Sequence, residues 1–410
     1  QFNSFEDVEP FNLSAYLQDK IEFDSFIVNA GIRLDYFDAR SKSPADPEDP
    51  NIFNPFKITN RFRDTDGDGV ISEAEETPDN RLTVAEREAY WWNDTGSKLQ
   101  VSPRLGVAYP ITDQGVIHFS FGLFFQTPTL DNLFDGFGWK VPSLSGRYGP
   151  FGNPDLDPQR TTMYEIGFKQ GFGDFVFDVT GYYRDVRDWV STSTVITTAL
   201  PGVSYVVFAN KDYANTTGLT VTFKKLFSDN YGFDLSYTYQ VVEGSNSDPA
   251  DAFFAEQAQQ EPTLALLPLN WDQTHKLAGS VYGSYGNLDA STRFRLASGF
   301  PYTPSFPTAS FVGNDVQPEF AQNSRRIPST SEVDLSLGYN ITFAGLDAKI
   351  FFDAFNVLDT RNATNVYSDT GQPDLTLEEF RQGAVDPGFW IQPNFFAEPR
   401  RVQMGIEFKF

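Results

Sequence analysis

The 410-residue chain contains no cysteine and only two histidines, His118 and His275. Without a thiol it can form neither a disulfide framework nor a thiolate metal centre, and a cysteine nucleophile is excluded. With its two imidazoles far apart in sequence, histidine chemistry is poorly supplied as well. Cations are also scarce, since 31 Lys and Arg stand against 55 Asp and Glu, a formal net charge of −24. Nucleic-acid binding needs clustered basic side chains to neutralise phosphate, so that class of partner is excluded. Nowhere does the chain approach the ~18 consecutive apolar residues that mark a membrane-spanning helix. Strands that alternate apolar and polar residues escape such a test, so a mean hydropathy of −0.36 leaves a strand-built membrane span open. The opening "QFNSFEDVEP" lacks the basic and apolar regions of a signal peptide and implies a mature or truncated start.

What the chain does have is aromatic side chains, 16% of all residues, and a persistent period of two. In "SFIVNAGIRLDYFDA" the residues Phe26, Val28, Ala30, Ile32, Leu34 and Tyr36 share one face, and Asn29, Gly31, Arg33 and Asp35 the other. That is a two-faced strand of the length a tilted membrane crossing requires, roughly 9–11 residues. The same form is found in "NLSAYLQDKIEF", "VSPRLGVAYPI", "VIHFSFGLFFQ", "RTTMYEIGFKQ", "FVFDVTGYYRD", "TGLTVTFKKLF" and "YGFDLSYTYQV". It continues in "THKLAGSVYGS", "LDASTRFRLAS", "SEVDLSLGYNI", "LDAKIFFDAFN" and "RRVQMGIEFKF", so that thirteen strands are expected. Arg33, Asp35, Asp234, Ser236, Thr238, Lys349, Asp353, Gln403 and Glu407 fall on the polar face of their strands.

The connections alternate in length. Short ones sit at Asp24-Ser25, "TDQG", "GFGD", "FSDN", "YGN" and "TFAG", and long ones fill 39–98, 126–158, 186–212, 242–273, 299–328 and 356–396. An antiparallel ladder with this alternation sends every short turn to one side and every long loop to the other. The expected fold class is therefore all-β, a transmembrane antiparallel β-barrel with apolar residues toward lipid, polar residues toward the lumen and aromatic girdles at the strand ends. A soluble propeller requires an internal repeat that is missing here.

Several stretches, in this order and spacing, resemble the barrel of TonB-dependent outer-membrane transporters, most closely the long-looped receptors of Bacteroidota-like bacteria. They are "SPRLGVAYPI" (102–111), "FQTPTLDNLF" (125–134), "GNPDLDPQRTTMYEIGFKQ" (152–170), "NTTGLTVTFKK" (215–225), "LPLNWDQTHKLAGSVY" (267–282), "SGFPYTP" (298–304), "FFDAFNVLDTRN" (351–362) and "EPRRVQMGIEFKF", ending on Phe410. The resemblance implies a 22-stranded barrel with an N-terminal plug and a coupling segment for TonB. Since thirteen is odd, residues 1–410 are expected to be the C-terminal barrel portion, with the plug and first strands supplied by the same polypeptide. It implies long loops outside the cell, short turns in the periplasm, and active import of a siderophore, vitamin, glycan or peptide. A surface lipoprotein lid is a further possible partner, and outer-membrane lipid surrounds the barrel. The rival reading is a structural or adhesive outer-membrane protein that uses the barrel as an anchor.

One stretch interrupts the alternation. "DTDGDGVISEAE" (64–75) matches the twelve-residue calcium loop of EF-hands, with Asp64, Asp66 and Asp68 at positions 1, 3 and 5 and Gly69 at the tight turn. Val70 offers its carbonyl at position 7, Ser72 sits at 9, and Glu75 at 12 is placed for bidentate binding. The expected cofactor is a structural Ca2+ that clips the 39–98 loop; the plain alternative is a solvated acidic loop. No full entering helix precedes it, and Thr77-Pro78 interrupts the exit before "LTVAEREAYWW" takes helical spacing. Carboxylates such as Glu243, Asp248 and Asp251 lack an accompanying nucleophile or histidine, so no enzyme is expected. His118 and His275 are expected to face a solvated lumen, and Arg33, Arg104, Arg293 and Arg295 to line the plug contact. The aromatics of "YWWND" (90–94), "LFDGFGW" (133–139) and "FWIQPNFF" (389–396) stand equally as ligand platforms or as loop-on-loop packing.

Overall fold

The computed structural model describes residues 8–136, 138–257, 265–305, 320–343, 346–377, 388 and 390–409. Thirteen antiparallel strands make one continuous path: β1 (Phe11–Glu22), β2 (Ile27–Asp38), β3 (Lys98–Thr112), β4 (Gly115–Gln126), β5 (Gln159–Phe172), β6 (Phe175–Thr192), β7 (Val203–Ser228), β8 (Tyr231–Gly244), β9 (His275–Tyr285), β10 (Leu288–Ala297), β11 (Thr330–Phe343), β12 (Leu346–Phe355) and β13 (Arg401–Lys409). All thirteen coincide with the expected strands. Each pairs only with its sequence neighbours along this path, the order of an up-and-down barrel wall. Among the described residues β1 and β13 do not pair, so the sheet is open. Phe410, Ala344 and Gly345 lie outside the described residues.

The tight turns follow from local chemistry. Asp229 and Asn230, both at positive φ (51° and 71°), join β7 to β8 as in a type I′ hairpin. Gly173 (φ 61°) and Gly286 (φ 58°) serve the β5–β6 and β9–β10 turns. At the other end lie the long links 39–97, 127–158, 245–274, 298–329 and 356–400. The expected irregular link over 186–212 is different. There β6 runs to Thr192 and β7 begins at Val203, with Phe208 opposite Thr192, so only 193–202 connects them. The β-branched and aromatic run "VSYVVFAN" sustains pairing past the barrel, and register shifts around Asp212 absorb the departure.

Register carries the two faces across the whole wall. One row reads Val28, Val107, Phe119, Ile166, Gly181, Leu219 and Tyr239 from β2 to β8. Another reads Lys169, Asp178, Thr222, Ser236, Ala278, Arg295 and Glu332 from β5 to β11. The apolar face is not covered by protein: Ile166 is 61% exposed and Met404 77%. An uncovered apolar wall of this extent marks a surface that meets something other than water, and here a lipid-facing barrel exterior accounts for it. The buried clusters sit instead in the links and at the adjoining strand ends. No helix is long and apolar enough to cross a membrane among the described residues. The short helices Val84–Trp91, Leu130–Phe134 and Asp251–Gln257 all lie in links, as the sequence implies.

Candidate functional site

The 64–75 segment is held from within. Asp64 accepts hydrogen bonds from the Gly67 and Gly69 N–H groups (2.6 and 2.8 Å), and Asp68 from Val70 N–H (2.8 Å). Gly67 and Gly69 sit at φ 76° and 84°, a conformation other L residues rarely adopt, so the turn needs glycine at both places. Carboxylate oxygens of Asp64, Asp66 and Asp68 come within 4.8 Å of one another, and all three side chains are exposed. Glu75 is not among them. Its Oε1 accepts from Thr65 N–H and hydroxyl (2.6 and 2.7 Å), and its Oε2 from Ser72 N–H and hydroxyl (2.8 and 3.0 Å). These donors, the Thr65 hydroxyl foremost, hold the Glu75 carboxyl down to about 2. The donor set is all hard oxygen, which fits Ca2+. Bidentate ligation by Glu75 requires it to exchange those four bonds for the ion.

The stem of this segment is not a helix pair. Arg63 N–H donates to Asn80 O (3.1 Å) and Leu82 N–H to Arg61 O (2.9 Å), so backbone bonds close its base. The Asn80 amide adds bonds to Arg63 O and Glu75 O (2.7 and 2.9 Å). Beyond it the helix Val84–Trp91 starts with a reciprocal Thr83–Glu86 capping box, and Arg63 pairs with Glu86 at 2.7 Å. The Glu86 carboxyl lies at about 2, chiefly because Thr83 N–H bonds to it and then because Arg63 does.

The rest of link 39–97 is anchored independently. Asp49, fully buried, accepts from Phe56 N–H (2.6 Å), Lys57 N–H (3.0 Å) and the Asn60 amide (2.8 Å). Bonds from Tyr205 OH to Pro47 O (2.8 Å), Ala199 N–H to Glu48 O (2.8 Å) and the Asn51 amide to Val141 O (3.0 Å) tie it to the next two links. Phe56, Trp139, Val141, Phe151, Val203 and Tyr205 form a shared apolar core over that junction. So Trp139, Leu133 and Phe134 of "LFDGFGW" and Trp91 of "YWWND" are packing residues, whereas Tyr90 is 50% exposed. Phe137 and Phe389 lie outside the described residues, and Phe395 packs on Tyr367 at 5.1 Å.

On the polar face His118 lies 3.7 Å from Glu165 across β4 and β5. His275 departs from expectation. Register puts it opposite Tyr239 on the apolar face, with Tyr237 OH 2.8 Å from its Nδ1. As the first residue of β9 it sits at the rim, where an amphipathic Tyr–His cluster keeps one polar edge satisfied. Arg33, Arg104, Arg293 and Arg295 do occupy the polar face. Several concavities open on it. One of about 640 Å³ is lined by Tyr16, Arg33, Arg104, Phe124 and Glu165, and another of about 530 Å³ by Lys224, Asp234, Arg293, Arg295, Glu332 and Asp334. Their charges are largely arranged in pairs, Arg33 with Asp35 (2.9 Å) and Lys224 with Asp234 (3.0 Å) among them.

A family model described as TonB dependent receptor-like, beta-barrel, matches residues 2–357. Among solved structures, the ferric-catecholate import receptor Fiu of E. coli K12 superposes with a TM-score of 0.54 at 14% identity, covering 98% of this chain and 45% of that one. The FrpB iron transporter of Neisseria meningitidis gives 0.54 at 12% identity (98% and 46% covered). The ferric citrate transporter FecA gives 0.53 at 14% (98% and 45% covered). The chain thus spans less than half the length of these structures, and identities this low speak for the fold alone. All of these proteins are receptors or transporters, and none is described as an enzyme. With thirteen two-faced strands in barrel order and a family match over most of its length, the chain belongs to the TonB-dependent receptor β-barrel family, whose members are outer-membrane proteins.

Proposed function

We propose that this chain is the wall of an importer that takes a scarce nutrient across the outer membrane, driven through TonB and a plug carried by the same polypeptide. The observation that carries the reading is the paired character of the wall: a charged face continuous from β2 to β13 backs an apolar one, and the long links gather at one end. In this reading the links face outward and the tight turns face the periplasm. The links offer the first contact to a siderophore, vitamin, glycan or peptide, and a surface lipoprotein is an additional partner to look for. The test is growth and radiolabelled uptake of a deletion strain over a nutrient panel, with and without a protonophore. Loss of protonophore-sensitive uptake of one nutrient supports import. Unchanged uptake across the panel, with loss of surface adhesion instead, favours an anchor for adhesive loops.

We further propose that Asp64, Asp66, Asp68, the Val70 carbonyl, Ser72 and Glu75 hold a structural Ca2+. Three converging carboxylates and two glycines in the required turn support this. Elemental analysis of the intact receptor and calcium titration of an Asp64→Ala, Asp68→Ala variant test it. Equal calcium content in variant and parent refutes it.

A further inference from the structure

The links that follow β8 and β10 meet at one ion pair. Asp272, near the end of link 245–274, is 1% exposed. Its Oδ1 accepts from Val242 N–H in β8 (3.0 Å), and its Oδ2 pairs with Arg326 Nη2 of link 298–329. Arg326 Nη1 donates to Asp272 O (3.0 Å) and to Gly299 O (3.1 Å), so one guanidinium joins both links and the exit from β10. Three residues away, the buried Asn323 amide donates to Pro268 O (2.8 Å) and Asn270 Oδ1 (2.7 Å), a second tie between the same two links. Pro301–Tyr302 pairs with Arg325–Arg326, which closes the base of link 298–329 at this very point. Oδ2 also accepts from the Thr274 hydroxyl (3.3 Å), but Arg326 is the cation paired with this buried carboxylate, and breaking such a pair from one side is strongly destabilising. Geometry around it is tight as well. A Cβ on Gly299 would come 1.8 Å from Ile327 O, and only glycine lets the β10 exit pass beside Arg326.

We propose that Asp272–Arg326 is a coupling latch that makes the roots of the β8–β9 and β10–β11 links, residues 267–274 and 320–328, loosen and tighten as one unit. Root residues 267–274 are further bolted to the wall, because Leu269 packs on Ala214 and Val242. Whatever pulls on 320–328 therefore acts on 267–274 through this pair, and the converse holds by linkage. The device stands whatever cargo the receptor carries.

The test is hydrogen–deuterium exchange on the intact receptor in detergent, read in peptides covering 267–274 and 320–328. Arg326→Met is expected to raise exchange in both peptides by about 100-fold or more, since it takes the paired cation from a buried carboxylate. Gly299→Ala, which leaves both charges in place but displaces Ile327, is expected to loosen the same two peptides. The double variant should be no looser than the more affected single one, because the two changes break one node. Loosening confined to 320–328 in both single variants, or additive loosening in the double variant, overturns the latch. Exchange is read without transport, so failure of the import reading leaves this result intact.

Discussion

Removing the Asp49 carboxylate should release link 39–97 while leaving the barrel wall folded. The side chain is fully buried and receives three hydrogen bonds, two of them from the backbone N–H groups of Phe56 and Lys57 and one from the Asn60 amide. In Asp49→Ala all three donors lose their acceptor. Asn60 is half-exposed and can turn to water, whereas the Phe56 N–H is enclosed with its residue in the apolar junction core. Two stranded backbone donors at about 1–3 kcal/mol each give a local cost of roughly 2–6 kcal/mol. Asp49→Asn is milder. Its remaining oxygen serves either Phe56 N–H or the Lys57–Asn60 pair, so one donor is stranded in the better orientation. Charge assistance to the others is lost, and the cost comes to about 2–4 kcal/mol. Hydrogen exchange on the intact receptor reads this directly. Amides of 50–62 should exchange about 30-fold faster or more in Asp49→Ala and less so in Asp49→Asn, with β2 and β3 amides unchanged. Equal exchange in Asp49→Ala and parent protein refutes the claim that this carboxylate organises the link.

Three further outcomes follow from the same geometry. Because Asp49 and the shared apolar core hold the ends of link 39–97, chelating calcium should expose only about residues 64–79 to protease; cleavage spread over the whole link defeats this, as does identical cleavage with and without chelator. Glu86 has a folded pKa of about 2, below the unfolded carboxylate value near ~4.3, so its bonds to Thr83 and Arg63 stabilise the Val84–Trp91 helix above that range and fade as pH falls toward 2. Pepsin cleavage in 80–97 should therefore rise through that window, and Glu86→Gln should flatten the profile; a parent protein with no acid-dependent cleavage there contradicts the assignment. On the wall, Ile166→Arg on the apolar face is expected to cost about 2–4 kcal/mol and lower the yield of heat-modifiable barrel, whereas Thr222→Arg on the polar face is tolerated. Equal yields from the two variants argue against the assignment of faces.

The strands were legible because a period of two is a local signal. In β2 the apolar Val28, Ala30, Ile32 and Leu34 alternate with Asn29, Gly31, Arg33 and Asp35 before any strand finds a neighbour, and turn pairs such as Asp229-Asn230 state where a hairpin reverses. The twelve-residue acidic loop was legible for the same reason, since its glycines must take positive φ wherever the segment sits. Its exit helix likewise starts at a capping box written in Thr83 and Glu86.

What the order of residues left open depends on partners distant in the chain. Nothing local says that β6 and β7 pair on beyond the barrel, because "VSYVVFAN" becomes sheet only when the β6 extension and the Gly146–Phe151 strand lie beside it. The face of His275 depended on the start of β9, which a single residue of register reverses. Glu75 has a ligand's position in the sequence, yet hydrogen bonding gives its carboxylate to Thr65 and Ser72. Trp139 read equally as platform or packing until the junction core closed over it, as did Trp91 until it was buried against its own link, and the Asp272–Arg326 pair joins residues 54 positions apart. Alternation along a strand is decided by near neighbours, so the sequence alone determined the wall; which links touch is decided by tertiary burial, so only the folded structure determined how the link roots join.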